Sequence, residues 1–130
     1  MHPHWERYVP IYVLDCPKWI SLEGFNEDKI NGLYRAGDSI HGERAVYKHV
    51  NYENCVWFNT LSGKRWFVGA CLRVGRNTTM SYAVSGYKDR RCPTEPKRNQ
   101  IWKYNDNLES GNGTNIFGAI AKDTGNSNWL

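Results

Sequence analysis

Two pairs of adjacent aromatic residues, Trp57-Phe58 and Trp66-Phe67, flank a short turn-forming stretch, Leu61-Ser62-Gly63-Lys64. Neighbouring side chains of a strand point to opposite faces of a sheet, so each pair sends one ring to each face. Two strands joined by a tight turn place such rings opposite one another. We therefore predict a hairpin over residues 55–69 that carries aromatic rings on both faces.

Only one face of this hairpin can lie on the main core, and the second face needs another explanation. One explanation is that another segment of the chain covers it, for which the sequence offers the N-terminal residues around Trp5, Tyr8 and Tyr12 or the late Phe117. Alternatively, the rings form an exposed platform that stacks on sugars, nucleobases or side chains of a partner. The candidate partner-binding residues of the hairpin are Trp57, Phe58, Trp66 and Phe67.

The remainder of the chain repeats the strand pattern. Of 130 residues, 14% are aromatic and 12 are glycine, which suits short strands joined by tight turns. Alternation and turn residues predict strands near 10–14, 19–22, 32–35, 45–50, 55–59, 65–69, 80–84, 100–104 and 115–120. Consecutive short strands at this spacing indicate an all-β domain, a small antiparallel barrel or sandwich with little helix.

One domain is expected to cover residues 1–130, with an N-terminal arm over 1–17, a module core over 18–105 and a C-terminal extension over 106–130. A short helical turn from Glu27 is expected to lead into the strand at Leu33, because Asn31-Gly32 ends any longer helix. The predicted core residues are Trp19, Leu33, Tyr34, Val46, Trp57, Trp66, Val68, Tyr82 and Trp102.

The four cysteines, Cys16, Cys55, Cys71 and Cys92, contain no C-x-x-C pair, so they indicate neither a zinc knuckle nor a thioredoxin-like motif. They are free or paired in one of three ways. The N-terminal residues show neither a secretory signal nor a membrane span, which favours a soluble intracellular protein with four free thiols. The sequons at Asn77 and Asn112 would matter only in a secreted chain.

The net charge of +4 comes from the second half of the chain. Residues 73–103 hold eight Lys and Arg against Asp89 and Glu95, and residues 88–98 form an exposed Pro-containing loop. Such a basic segment suits an anionic partner. The candidate partner-binding residues of this basic loop are Lys88, Arg90, Arg91, Lys97 and Arg98.

The sequence contains no pattern typical of catalysis. His41 and His49 lack a nearby carboxylate–histidine cluster, and neither a Gly-x-Ser-x-Gly elbow nor a phosphate-binding Gly-rich loop is present. We therefore predict that the chain is not an enzyme and has no catalytic residues, no metal site and no cofactor.

Several motifs in order resemble a known family. They are Asn31-Gly32-Leu33-Tyr34, then Gly42-Glu43-Arg44-Ala45-Val46-Tyr47-Lys48-His49, then Gly63-Lys64-Arg65-Trp66-Phe67-Val68-Gly69, and Ile101-Trp102-Lys103-Tyr104 with the late Trp129. Over residues 19–129 the chain resembles an uncharacterised aromatic-rich β module found singly or repeated in aquatic protist proteins. The resemblance implies a recognition or scaffolding module without catalytic residues. An insertion over residues 107–127 departs from the family pattern.

The first functional prediction is a non-catalytic protein-interaction module, or a small accessory subunit of a larger assembly, that docks on an acidic partner through the aromatic row and the basic loop. The alternative is a glycan-binding module, in which polar residues around 51–59 and 105–115 bind sugar hydroxyls beside an aromatic ring. A weaker alternative is binding of RNA or another polyanion through residues 73–103. An interaction module should expose a contiguous apolar patch, whereas a lectin should show a shallow polar groove with one or two aromatic rings.

Overall fold

The computed structural model describes residues 16–60, 64–76, 82–85, 90–94, 102–104, 115–116 and 119–124. A 3-10 turn, Cys71–Arg73, is present, and the described residues form neither an α-helix nor any helix able to cross a membrane. The predicted strand at 10–14 lies outside the described residues. The strands are β1 (Trp19–Glu23), β2 (Gly32–His41), β3 (Arg44–His49), β4 (Asn54–Asn59), β5 (Arg65–Ala70), β6 (Ala83–Ser85), β7 (Trp102–Tyr104), β8 (Asn115–Ile116) and β9 (Ile120–Asp123).

All neighbouring strands are antiparallel, in the order β8-β7-β6-β5-β4-β3-β2-β1-β9. The last two strands are separated only by residues 117–119, yet β8 pairs with β7 and β9 pairs with β1 at the opposite edge of the sheet. The C-terminal segment therefore joins the two edges, and the sheet forms a nearly closed antiparallel barrel. The predicted all-β class is confirmed, and part of the predicted C-terminal extension belongs to the barrel.

The hairpin between β2 and β3 shows how local sequence fixes a turn. Gly42 and Glu43 both have positive φ, 62° and 65°, which is the conformation of a two-residue hairpin turn. A Cβ on residue 42 would lie 3.1 Å from the carbonyl oxygen of Phe58, so glycine also fits this close approach.

The barrel interior is packed with large side chains. Its buried aromatic residues are Phe25, Tyr34, Tyr47, Phe58, Trp66 and Trp102, and smaller apolar residues fill the space between them. Barrels of about eight strands can hold a small ligand inside or be filled by their own side chains. The interior of this barrel is filled by its own described side chains, so a ligand site has to lie at an end of the barrel or on its outer face.

The aromatic hairpin forms as predicted, with Trp57 opposite Phe67 and Phe58 opposite Trp66. The Phe58 and Trp66 rings meet edge to face inside the barrel, with centroids 5.5 Å apart. The Trp57 and Phe67 rings stack on the outer face at 6.0 Å, where they belong to a second buried cluster. Both faces of the hairpin are therefore covered.

Most of the other predicted core residues are also buried. Tyr34, Val46, Val68 and Trp102 have at most 7% of their surface exposed. The remaining three, Trp19, Leu33 and Tyr82, are only half-buried.

The prediction of four free thiols is wrong, because Cys16 is bonded to Cys92 and Cys55 to Cys71. The bonded residues are 76 and 16 positions apart in the chain, and the fold brings their Cα atoms to 5.5 and 4.9 Å. These separations lie within the range that a disulfide spans. Sequence spacing alone does not contain this information, since the approach of Cys16 to Cys92 depends on the closure of the barrel.

One end of the barrel is covered by residues 24–31, here called the plug loop. Its Phe25 and Ile30 are buried, and the Phe25 ring meets Trp102 edge to face at 5.6 Å. The Asn31 side chain accepts a hydrogen bond from the Phe25 N–H and donates one to the Phe25 carbonyl, at 2.9 and 2.8 Å. In place of the expected helical turn, the plug loop has one turn hydrogen bond, which the Ile30 N–H donates to the Glu27 carbonyl.

The opposite end of the barrel is covered by residues 90–94. The carbonyl of Arg90 accepts hydrogen bonds from the Trp66 indole N–H at 3.1 Å and from Arg44 Nε at 3.2 Å. Cys92 is buried and connects this segment to Cys16. The segment is therefore held both by hydrogen bonds to the barrel and by a disulfide.

Candidate functional site

A cavity of about 320 Å³ opens at the end of the barrel that the plug loop covers. We call it the plug groove. It lies between the plug loop, the start of β4 and the end of β5, and its volume is at the lower limit of small-molecule sites. Its lining residues are Glu27, Lys29, Ile30, Asn54, Gly69, Ala70 and Tyr82.

The walls of the plug groove are fixed by backbone pairing and by one side-chain hydrogen bond. Asn54, the first residue of β4, pairs with Ala70, the last residue of β5. The Asn54 side chain donates a hydrogen bond from Nδ2 to the carbonyl of Lys29 at 2.9 Å, which ties the plug loop to the sheet. The groove is therefore formed before any ligand binds.

Tyr82 provides the aromatic wall. Its backbone N–H bonds to the carbonyl of Val68, and its ring meets Tyr104 edge to face at 5.3 Å and Phe25 at 6.5 Å. Burial raises the pKa of Tyr82 well above its usual value. The phenol is therefore neutral at physiological pH, and the ring is held between two other aromatic rings.

The polar groups of the plug groove carry both signs of charge. Glu27 and Lys29 are exposed residues of the plug loop and contribute a carboxylate and an ammonium group. Asn54 adds an amide, and Ile30 adds an apolar surface next to Tyr82. This combination offers hydrogen-bond donors and acceptors beside an aromatic ring.

The connection between β3 and β4 borders the same end of the barrel. Its Tyr52 is 45% exposed, which makes it the most exposed aromatic side chain among the described residues. The Tyr52 ring rests against His49, with centroids 5.0 Å apart. Since Tyr52 precedes Asn54 by two residues, it supplies a second aromatic surface at the end of the barrel that contains the groove.

His49 is structural rather than a ligand-binding group. Its Nδ1 accepts a hydrogen bond from the Asn51 N–H at 3.0 Å, and its Nε2 bonds to the carbonyl of Asn31 at 2.9 Å. A Cβ on Gly32, where φ is 128°, would lie 2.8 Å from this Nε2. The glycine therefore makes room for a buried histidine that joins the plug loop to the β3–β4 connection.

The sequence-predicted site residues lie elsewhere. Trp57, Phe58, Trp66 and Phe67 have at most 3% of their surface exposed, so the structure does not form the exposed aromatic platform. Arg90 is half-buried and Arg91 is exposed, both at the barrel end opposite the plug groove. Lys88, Lys97 and Arg98 lie outside the described residues.

Most of the groove residues were missed by sequence reasoning. The sequence feature that points to the groove is the polar stretch 51–59, which contains Asn54 and which the glycan alternative names. Comparison with family models, with curated proteins and with solved structures finds no match.

Proposed function

We propose that this protein is a non-catalytic glycan-binding module that holds a sugar in the plug groove. The observation that carries the proposal is the cavity of about 320 Å³ in which Tyr82 stands beside the polar groups of Glu27, Lys29 and Asn54. Sugar sites combine an aromatic surface for the apolar side of the ring with a few polar groups that bind the hydroxyls.

Each lining group has a definite role in this proposal. The Tyr82 ring packs against the C–H face of the sugar, the Glu27 carboxylate accepts hydrogen bonds from hydroxyls, and the Lys29 ammonium donates them. Hydrogen bonds to charged groups are the stronger ones. Because the groove is already formed, binding loses little free energy to ordering of the chain. Tyr52 offers a surface for a second sugar unit.

The two disulfides support an extracellular or otherwise oxidising location for this activity. Disulfides persist in such compartments and are rare in the cytosol. The two disulfides of this small domain therefore favour the oxidising compartments in which glycans are displayed. They argue against the intracellular location expected from the N-terminal residues.

The protein-interaction hypothesis loses its main support, because the aromatic rings on which it relied are buried. The described residues that expose large apolar side chains are spread over separate elements, namely Ile40 on β2, Val50 and Tyr52 after β3, Leu72 after β5 and Ile120 on β9. Docking on an acidic protein and binding of a polyanion stay predictions.

The proposal is tested by a glycan array followed by calorimetric titration of the sugars that bind. Glu27→Ala and Lys29→Ala change exposed residues, so they should leave stability within about 0.5 kcal/mol. We expect each to weaken binding about tenfold, which corresponds to about 1.4 kcal/mol for a lost hydrogen bond to a charged group.

Matched controls are Asp38→Ala and Lys18→Ala, which remove the same charges from exposed positions outside the groove. Their affinities should stay within about twofold of the unmodified protein. Absence of saturable binding to any glycan, or an equal loss in groove and control variants, would refute the proposal.

A further inference from the structure

The outer face of the barrel carries a second buried cluster that crosses four strands. Val46 of β3, Trp57 of β4 and Phe67 of β5 are buried and aligned across the sheet by the strand register, and half-buried Val84 of β6 extends the row. Trp57 is fully buried, and its indole N–H has no hydrogen-bond partner among the described residues. Outer faces of barrels normally meet water, so this row needs a cover.

Residues 71–76, here called the strap, provide part of that cover. The strap begins at Cys71, bonded to Cys55 near the plug groove, and Cys71 and Val74 pack on the buried row. Gly75 lies against the His41 ring, since an added Cβ would be 3.2 Å from its Cε1. His41 ends β2 at the far end of the barrel, so the strap lies on the outer face between Cys55 and the side chain of His41.

Few bonds hold the strap to the barrel. The Cys71 N–H bonds to the carbonyl of Glu53 at 3.0 Å. The next two backbone bonds, from Val74 to Cys71 and from Arg76 to Arg73, lie within the strap itself. Apart from the peptide bond between Ala70 and Cys71, the strap is therefore held to the described part of the barrel by the disulfide, by one backbone hydrogen bond and by the contacts of Val74 and Gly75.

We infer that the Cys55–Cys71 disulfide is a redox-sensitive latch that holds the strap over Trp57 and Phe67. Cys71 is the half-exposed member of the pair and Cys55 is 4% exposed. An external dithiol attacks Cys71 Sγ as its thiolate and forms a mixed disulfide, while Cys55 leaves as a thiolate. The second thiol of the reagent then releases Cys71 and closes a cyclic disulfide. The cysteine pair gains two electrons and two protons, and the reagent loses them.

The other disulfide provides an internal comparison. Residues 90–94 stay attached through the two hydrogen bonds that the Arg90 carbonyl accepts from Trp66 and Arg44. Loss of the Cys16–Cys92 bond therefore leaves this segment in place, whereas loss of the Cys55–Cys71 bond frees the strap. The two cysteine pairs should respond differently to the same reagent.

Limited trypsin digestion read by mass spectrometry tests the latch, because Arg73 and Arg76 lie in the strap. The substrate is the Cys16→Ala/Cys92→Ala variant, which retains only the latch, with and without dithiothreitol. We expect cleavage after Arg73 and Arg76 to become at least about tenfold faster on reduction, as for a segment that opens locally. Cys55→Ala/Cys71→Ala should show the fast rate without reductant.

Cleavage after Arg35 in β2 and Arg44 in β3 reports on unfolding of the barrel itself and should rise less than cleavage after Arg73 and Arg76 in every sample. Strap cleavage that is unchanged by reduction would overturn the inference, since other contacts would then hold the strap. A parallel rise at Arg35 and Arg44 would overturn it as well, because the disulfide would then stabilise the whole barrel rather than the strap.

Discussion

Removal of the two disulfides should destabilise the protein to different extents. A disulfide restricts the unfolded chain by closing a loop, and in the chain-entropy account its stabilisation grows with loop length. The Cys16–Cys92 pair spans 76 positions and the Cys55–Cys71 pair spans 16. The corresponding stabilisations are about 4.5 and about 3 kcal/mol, so the difference expected between the pairs is about 1.4 kcal/mol.

The comparison uses Cys16→Ala/Cys92→Ala and Cys55→Ala/Cys71→Ala. Each pair contains one buried and one half-buried cysteine, so the local cost of removing the sulfur atoms is similar in the two variants. The difference between their free energies of unfolding therefore reflects the lengths of the two loops. Unfolding in urea, followed by far-UV circular dichroism and extrapolated to water, gives the free energy of unfolding of each variant.

The slope of the urea transition adds a second readout. If the strap is released in Cys55→Ala/Cys71→Ala, part of its surface is exposed before global unfolding, so the slope should be smaller than in the other variant. The loop-length reasoning would be refuted if the two variants lost the same free energy of unfolding.

Trp57→Ala should lower the free energy of unfolding by about 3–5 kcal/mol, because Trp57 is fully buried. Leu72→Ala on the strap, where the side chain is 68% exposed, should change it by no more than about 0.5 kcal/mol. Urea titrations compare the two, and similar losses would contradict the buried outer cluster. Burial raises the pKa of Tyr34 and Tyr47 in the folded protein above the unfolded value of 10.0. Above that pH the two tyrosines ionise more readily in the unfolded chain, so the free energy of unfolding is unaffected by them below pH 10.0 and falls as the pH rises above it. The fall should approach about 1.4 kcal/mol per pH unit for each tyrosine, and unchanged stability between pH 9 and pH 11 would contradict it.

The local parts of the fold were predictable from sequence. The hairpin formed by β4 and β5 follows from the alternation of side chains and from a turn, all within residues 54–70. The same holds for the β2–β3 turn at Gly42. In each case the determining contacts lie between residues close in the chain, where side-chain period and turn chemistry act directly.

The parts that depend on distant contacts were not predictable in the same way. Residues from four separated segments line the plug groove, and they meet only after the barrel has closed. The cover over Trp57 depends on the path of the strap, and the approach of Cys16 to Cys92 depends on the whole sheet. The alternation of side chains in the β4–β5 hairpin showed that its second aromatic face needed a cover. It contained no information about which segment of the chain supplies that cover.

A titration followed by ¹H–¹⁵N correlation spectroscopy tests the glycan-binding proposal most directly, with a sugar selected by the array added to the unmodified protein. The proposal predicts saturable shifts at the amide signals of Asn54, Gly69, Ala70 and Tyr82, which line the plug groove. The amides of residues 90–92 at the opposite end of the barrel should not move. Shifts confined to residues 90–92, or no shift at the groove amides, would contradict the proposal.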